Sequence, residues 1–402
     1  MPSPYDARVA DDGPAGNPFE GLPFLGDLAR LLGQQAGGAW DSARQLAVTV
    51  ATEGTSESNV DPVQRMGIEQ LARVADLHVA DVTGLSTSVS GRPVVVVPVN
   101  RTRWVMDSLE AYRPLVERLA ATLGSPPEDA GLDEDPAADM FAGMLQAFQP
   151  MVLAMTAGSM VGHLGQRTLG QYDLPIPRTL DGPHADELLL VVPNIDAFAD
   201  EWSLERDDVR LWVCVHELAH HAVLGVPHVR VALDDLLAQY ASAFQNDPSA
   251  IEDRLGELDL GDPSSLAGLQ EAIGSPDLIL GAITSPEQDA LRPRLEALVA
   301  VVVGVVDHVL DVVGGKLIST YPMLTEALRR RRVEAGEADR FVERLFGLEL
   351  GQATYDRGTT FVQGVLERAG DDGLRRLWAE AANLPTPAEV DAPGLWLARI
   401  DL

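Results

Sequence analysis

The chain has one cysteine, Cys214, and one lysine, Lys316, in 402 residues. A single thiol excludes an intramolecular disulfide, so the fold rests on its core, and a reducing compartment is compatible with it. Positive charge is scarce: 30 Lys+Arg stand against 61 Asp+Glu, a formal net charge of -31. That balance opposes nonspecific attraction to nucleic acid or anionic lipid, and the excess acid serves solubility. Long hydrophobic runs are also lacking. The longest, Ala297 to Val306, lies between Glu296 and Asp307 and reads as a buried helix, not as part of the ~20 apolar residues that crossing a bilayer takes. The opening Met-Pro-Ser-Pro-Tyr-Asp lacks the basic start and apolar stretch of a signal peptide, so the expected location is cytoplasmic. No repeat recurs at a period of about 20 to 50 residues.

What is present is a core: 46% of the residues are hydrophobic, enough for a well-buried interior. Residues 1–59, rich in Gly, Pro, Asp and Ser, read as a flexible N-terminal arm, with amphipathic patches near Leu22 to Leu32 and Trp40 to Ala51. A single folded domain is expected over 60–402. Apolar residues at Val63, Met66, Ile68, Leu71, Val74, Ala75 and Leu77 recur at helical spacing. Short β-branched or aliphatic runs, Pro93 to Val99 and Leu188 to Val192, predict two strands. Long helices are expected over about 136–169, over about 205–224 with Gly225 as the stop, and from the cap Ser285-Pro286-Glu287-Gln288 to about Val313. The fold class is therefore mainly α with a few short strands.

Within the 205–224 segment lies Val215-His216-Glu217-Leu218-Ala219-His220-His221. Positions four apart share a helix face, so His216 and His220 can offer two imidazoles to one metal ion, with Glu217 beside them. The neighbours Leu211, Trp212, Val213, Val215 and Leu218 make this a buried helix. Two imidazoles and a carboxylate buried without partners are costly, and a zinc ion answers that cost. A zinc with three protein ligands keeps a position for water and lowers its pKa toward ~7, and Glu217 is placed to take the proton. The third ligand is open between two candidates: His228, which follows Pro227 and can turn back toward the metal, and Asp307, in the polar cluster Asp307, His308 and Asp311 of the helix after Ser285. His221 points about 100° away from His220 on the helix and suits packing or support of a ligand, as does His308. Tyr172 and Tyr355 are candidates to donate a hydrogen bond to a developing oxyanion. Arg329 to Arg332 read as positive charge completing a helix end, with a binding role as the rival reading.

Several separated blocks then point to one family. Gly162-His163-Leu164, Leu169-Gly170-Gln171-Tyr172-Asp173-Leu174, Val192-Pro193-Asn194-Ile195, Arg210 to His221, Ser285 to Gln288, Val306-Asp307-His308-Val309, Ala327 to Arg332 and Leu384-Pro385-Thr386 resemble the zincin-like metallopeptidases type 2, an actinobacterial group of zinc hydrolases. The resemblance runs from about residue 60 to the C-terminus. It implies a zincin-like fold with the His-Glu-x-x-His motif on a buried helix, and zinc at His216 and His220. Members of that group often carry Glu-Gly where this chain has Val303-Gly304, and valine cannot coordinate. Asp307, one turn further along that face, is the candidate substitute. The expected function is zinc-dependent hydrolysis of a peptide or amide carbonyl, with a peptide or protein as substrate and neither nucleic acid nor a membrane span involved. The alternative is a catalytically silent zincin-fold protein that binds a peptide or partner in the same cleft.

Overall fold

The computed structural model of the protein describes residues 38–88, 91–123, 136–178, 184–244, 285–333, 343, 345–348 and 350–401. Most of the arm expected over 1–59 lies outside them. Its last part does not behave as an arm: Gly38–Ala51 is a helix, α1, with Ala43, Ala47 and Ala51 buried at four-residue spacing. That stripe of small side chains lets α1 lie against two other helices, α3 (Arg101–Leu123) and α4 (Pro136–Arg167). The amphipathic patch at Trp40 to Ala51 is this helix, and it packs where the Gly- and Ser-rich composition around it suggested an arm.

Helix α2 (Pro62–Thr83) opens where Asp61 accepts hydrogen bonds from the Val63 and Gln64 backbone N–H groups, and stops at Gly84 in the left-handed region, φ 68°. Strand β1 (Val95–Val99) pairs in parallel with β2 (Glu187–Val191), Val97 opposite Leu189. The strand expected over Leu188 to Val192 ends one residue earlier, where a helix begins: α5 (Val192–Glu201) leaves β2 directly, with Pro193 in its first turn, where proline costs no hydrogen bond.

The motif helix α6 (Arg206–Leu224) packs on α2, α5 and a long helix, α8 (Pro286–Leu317). Between them in sequence, α7 (Pro227–Ser242) runs against α3 and α8. Helix α8 begins with the full reciprocal cap of Ser285 and Gln288. By length and composition it could cross a membrane, which the shorter apolar run read from the sequence did not suggest, but 78% of its apolar window is buried in this fold. It is the central core helix. Helix α10 (Gln352–Arg375) crosses it at Gly304 and Gly358, where a Cβ on Gly304 would sit 2.4 Å from the Gly358 carbonyl carbon. Helix α9 (Tyr321–Val333) and the short C-terminal helices α11 (Pro387–Val390) and α12 (Pro393–Ile400) complete the described elements.

Candidate metal centre and its cleft

Helix α6 is held at its N-terminal end by charge. Arg210 makes two contacts to Asp196 of α5, which also accepts from Gln64 of α2, and Asp208 accepts from the Ser319 and Thr320 hydroxyls at the α8–α9 junction. The rest of the helix is buried all round: from Val213 to Leu224 every residue is buried, including His216, Glu217, His220 and His221. Four polar side chains on one buried helix require partners.

Glu217 finds its partners in the segment that follows α4. Asn194 donates to the carbonyls of Gly165 and Thr168, and so ties off the end of α4. Residues 169–170 then run along β2, with the Val191 N–H donating to the Leu169 carbonyl and an isolated antiparallel bridge joining Gly170 to Leu190. The Gly170 carbonyl accepts from Trp104 Nε1 and the Thr168 hydroxyl. So held, the chain turns the Gln171 and Tyr172 N–H groups onto Glu217 Oε2, each at 2.8 Å. The carboxylate lies against Gly170 so closely that a Cβ there would be 2.4 Å from Glu217 Cδ. Burial pushes the Glu217 carboxyl up to about 8, against the two N–H groups, which pull it down.

The imidazoles are held by their Nδ1 atoms. His216 Nδ1 is 3.1 Å from Glu217 Oε1, and His220 Nδ1 is 3.1 Å from the His216 carbonyl. The rings sit 4.4 Å apart, His216 stacked on Trp212 and His220 on Tyr172. Burial lowers His216 to about 4, an effect that Asp173 opposes and Arg332 and Arg331 reinforce. Burial also takes His220 well below the ordinary value, with His216 adding to it. Both rings are therefore neutral at pH 7. No hydrogen bond engages either Nε2 among the described residues. An imidazole whose Nδ1 is tied to an oxygen and whose Nε2 is unengaged is the form that binds metal.

These two donors fit zinc; a third does not stand beside them. Among the described residues no group of three or more His, Cys, Asp or Glu could hold a metal ion. Asp307 of α8 instead contacts Arg332 of α9 at 3.4 Å. His228, the other candidate, lies on α7 with its Nε2 buried and without a hydrogen-bond partner among the described residues. Val303 is buried at the position where the resemblance placed a glutamate. His308 borders a separate small cavity with Asp371, Arg375 and Trp378. His221 and Tyr172 pair with each other, Nδ1 to hydroxyl at 3.2 Å, and burial holds the imidazole at about 4 and pushes the phenol up to about 12.

A cleft of about 140 Å³ opens on His216 and Trp212. Of the two tyrosine candidates it is Tyr355 that lines it, under the guanidinium of Arg332. Five charged residues that the sequence did not place at the site line it as well: Arg167, Asp173, Arg331, Arg332 and Glu343. Asp173 falls inside the block Leu169 to Leu174 quoted for the resemblance, and that was its signal. Arg331 and Arg332 carried the signal of a charged helix end, with a binding role as the rival reading.

A family profile described as zincin-like metallopeptidase matches residues 39–397. No curated relative matches the chain. In three dimensions it is similar to a crystal structure from Chloroflexus aurantiacus, described as "a putative hydrolase with a novel fold". That similarity has a TM-score of 0.61 and 24% sequence identity, covers 90% of this chain and 98% of that one, and is a likeness of fold. Because the profile spans nearly all the described elements, α6 and its motif included, the chain belongs to the zincin-like metallopeptidase family.

Proposed function

We propose that the protein is a zinc-dependent hydrolase of the peptidase type, with the cleft beside His216 as its working site. The observation that carries this is the state of the two imidazoles: neutral, tied through Nδ1, unengaged at Nε2, and next to a buried carboxyl. The family's description as metallopeptidase and the description of the Chloroflexus structure as a hydrolase support it. Zinc bound by His216 and His220 would supply a water acidified toward a pKa of ~7 and a Lewis acid for a carbonyl. The chain's own part is to hold the proton. With Oε2 fixed by two backbone N–H groups, Oε1 is the oxygen of Glu217 that can exchange a proton, and a cation beside it would bring its pKa down from about 8 toward the working range of a general base. Tyr355 lines the cleft and is the group we assign to a developing oxyanion; Tyr172 is spent on His221.

A second reading is favoured by one set of observations: buried Val303, Asp307 paired with Arg332, and no third ligand among the described residues. It makes the protein a catalytically silent member that binds a peptide or partner in the cleft. Cleavage of a mixed peptide library, with Glu217→Gln as the control, separates the two. The hydrolase reading expects zinc-dependent cleavage that Glu217→Gln abolishes while zinc is retained; no cleavage by zinc-loaded protein, with peptide binding equal in both forms, would favour the silent one.

A further inference from the structure

The walls of the cleft carry more positive charge than the chain as a whole. Among the described residues Arg167, Arg331 and Arg332 line it against Asp173 and Glu343, three bases to two acids, with Arg331 3.5 Å from Asp173, where the whole chain has about half as many bases as acids.

Arg332 is distinctive among them. Its guanidinium lies 3.8 Å from the Tyr355 ring centroid, and its side chain is 25% exposed. It is held on one face by the ring and at one edge by a single long contact, NH2 to Asp307 Oδ1 at 3.4 Å. A guanidinium carries five N–H donors in a planar fork matched to a carboxylate. Among the described residues no other hydrogen bond to that fork is present, and none of its nitrogens is buried without a partner. The spare donors are therefore accessible, in the cleft that Arg332 lines. The same contact explains Asp307: it orients the arginine.

We propose that Arg332 is the anchor for a carboxylate of the bound molecule, so that the cleft takes a peptide or amide that carries a carboxylate. The stacked, always-charged fork receives the two carboxylate oxygens, and Arg331 and Arg167 add to the positive field. A terminal carboxylate and an acidic side chain share this chemistry. The assignment rests on the cleft being the binding site and does not require turnover.

The test is binding to the full chain in the presence of chelator, so that failure of the zinc reading leaves it intact. The probes are N-acetyl-Ala-Ala, its C-terminal amide, and N-acetyl-Asp-amide, read by thermal shift and by fluorescence, for which Trp212 against His216 is a local reporter. The acid is expected to bind at least about tenfold more tightly than the amide, as loss of a charge-assisted hydrogen bond predicts. Binding of N-acetyl-Asp-amide in place of the acid would assign the carboxylate to a side chain. Arg332→Gln should erase the preference. Arg332→Lys, which keeps charge and fold but loses the fork, should weaken the acid several-fold while leaving the amide unchanged. Equal binding of all three probes, an unaltered preference in Arg332→Lys, or inorganic phosphate competing as tightly as the acid would overturn the assignment.

Discussion

Helix α6 and helix α8 pack against each other, and both are buried, yet they carry opposite cargo. Helix α6 buries His216, Glu217, His220 and His221 along less than two turns. Helix α8 buries an unbroken apolar run from Ala297 to Val306 and brings its own polar groups, Asp307 and His308, out only where it becomes partly exposed. The difference lies in what faces each. Opposite α6 stands a backbone segment, 169–172, fixed by Asn194, Trp104 and β2, whose N–H groups are free to meet a carboxylate. Opposite Gly304 of α8 stands Gly358 of α10, too close for any side chain between them. Buried ionisable side chains survive where a rigid frame supplies donors, and are absent where two helix backbones touch.

The largest effect that would break this contrast is on the reaction. Glu217→Gln keeps the shape of the cradle and removes the proton-exchanging oxygen, so turnover should fall by about a hundredfold or more. Zinc content, measured alongside, should not change. A variant that still turned over would remove α6 from the chemistry.

Next is the frame itself. Gly170→Ala puts a methyl 2.4 Å from Glu217 Cδ, in a place where neither the bridged backbone nor the buried carboxyl can yield easily. A loss of about 1–3 kcal/mol is expected, as for other overpacked sites. Urea titration checks it; an unchanged midpoint would mean that the cradle is soft.

The pH dependence of stability sharpens the same comparison, since α6 holds groups shifted in both directions. His216 and His221 fall from 6.5 to about 4 on folding, so the stability they contribute is present above pH 6.5 and is lost as pH drops toward 4. Glu217 rises from 4.5 to about 8, so its contribution is present below pH 4.5 and is lost as pH climbs to 8. Urea midpoints measured against pH with chelator present should show both limbs in the wild type. In Glu217→Gln the upper limb should vanish and the acid limb remain.

The smallest effect belongs to α8. Asp307→Asn removes the partner of Arg332, a partly exposed pair worth under about 1 kcal/mol. It should leave zinc content unchanged, as elemental analysis can verify, and loss of zinc would restore Asp307 as a ligand.

Much of this was legible in the chain. The cap at Ser285, the extent of α6, the two short strands and the mainly helical class all follow from local patterns, because capping and periodicity act within a few residues. The three residues of the motif could be put on one helix for the same reason. Partners distant in sequence could not be read. That Glu217 would meet the backbone of 171 and 172, some 45 residues away, depends on an isolated bridge and an asparagine cap, and neither leaves a periodic trace. Asp307 looked like a ligand because a charge on an apolar helix needs a reason; the reason present in the fold is Arg332, which the sequence placed only at a helix end. Helix α1 showed in the sequence as an amphipathic patch, but its packing did not, because its buried stripe is alanine, the least conspicuous apolar residue.

The measurement that bears most directly on the account is zinc per chain by elemental mass spectrometry, on protein purified without chelator and on a His216→Ala, His220→Ala double variant. The account predicts about one zinc per chain in the wild type and none in the variant. No zinc in either, in protein shown to be folded, would contradict it.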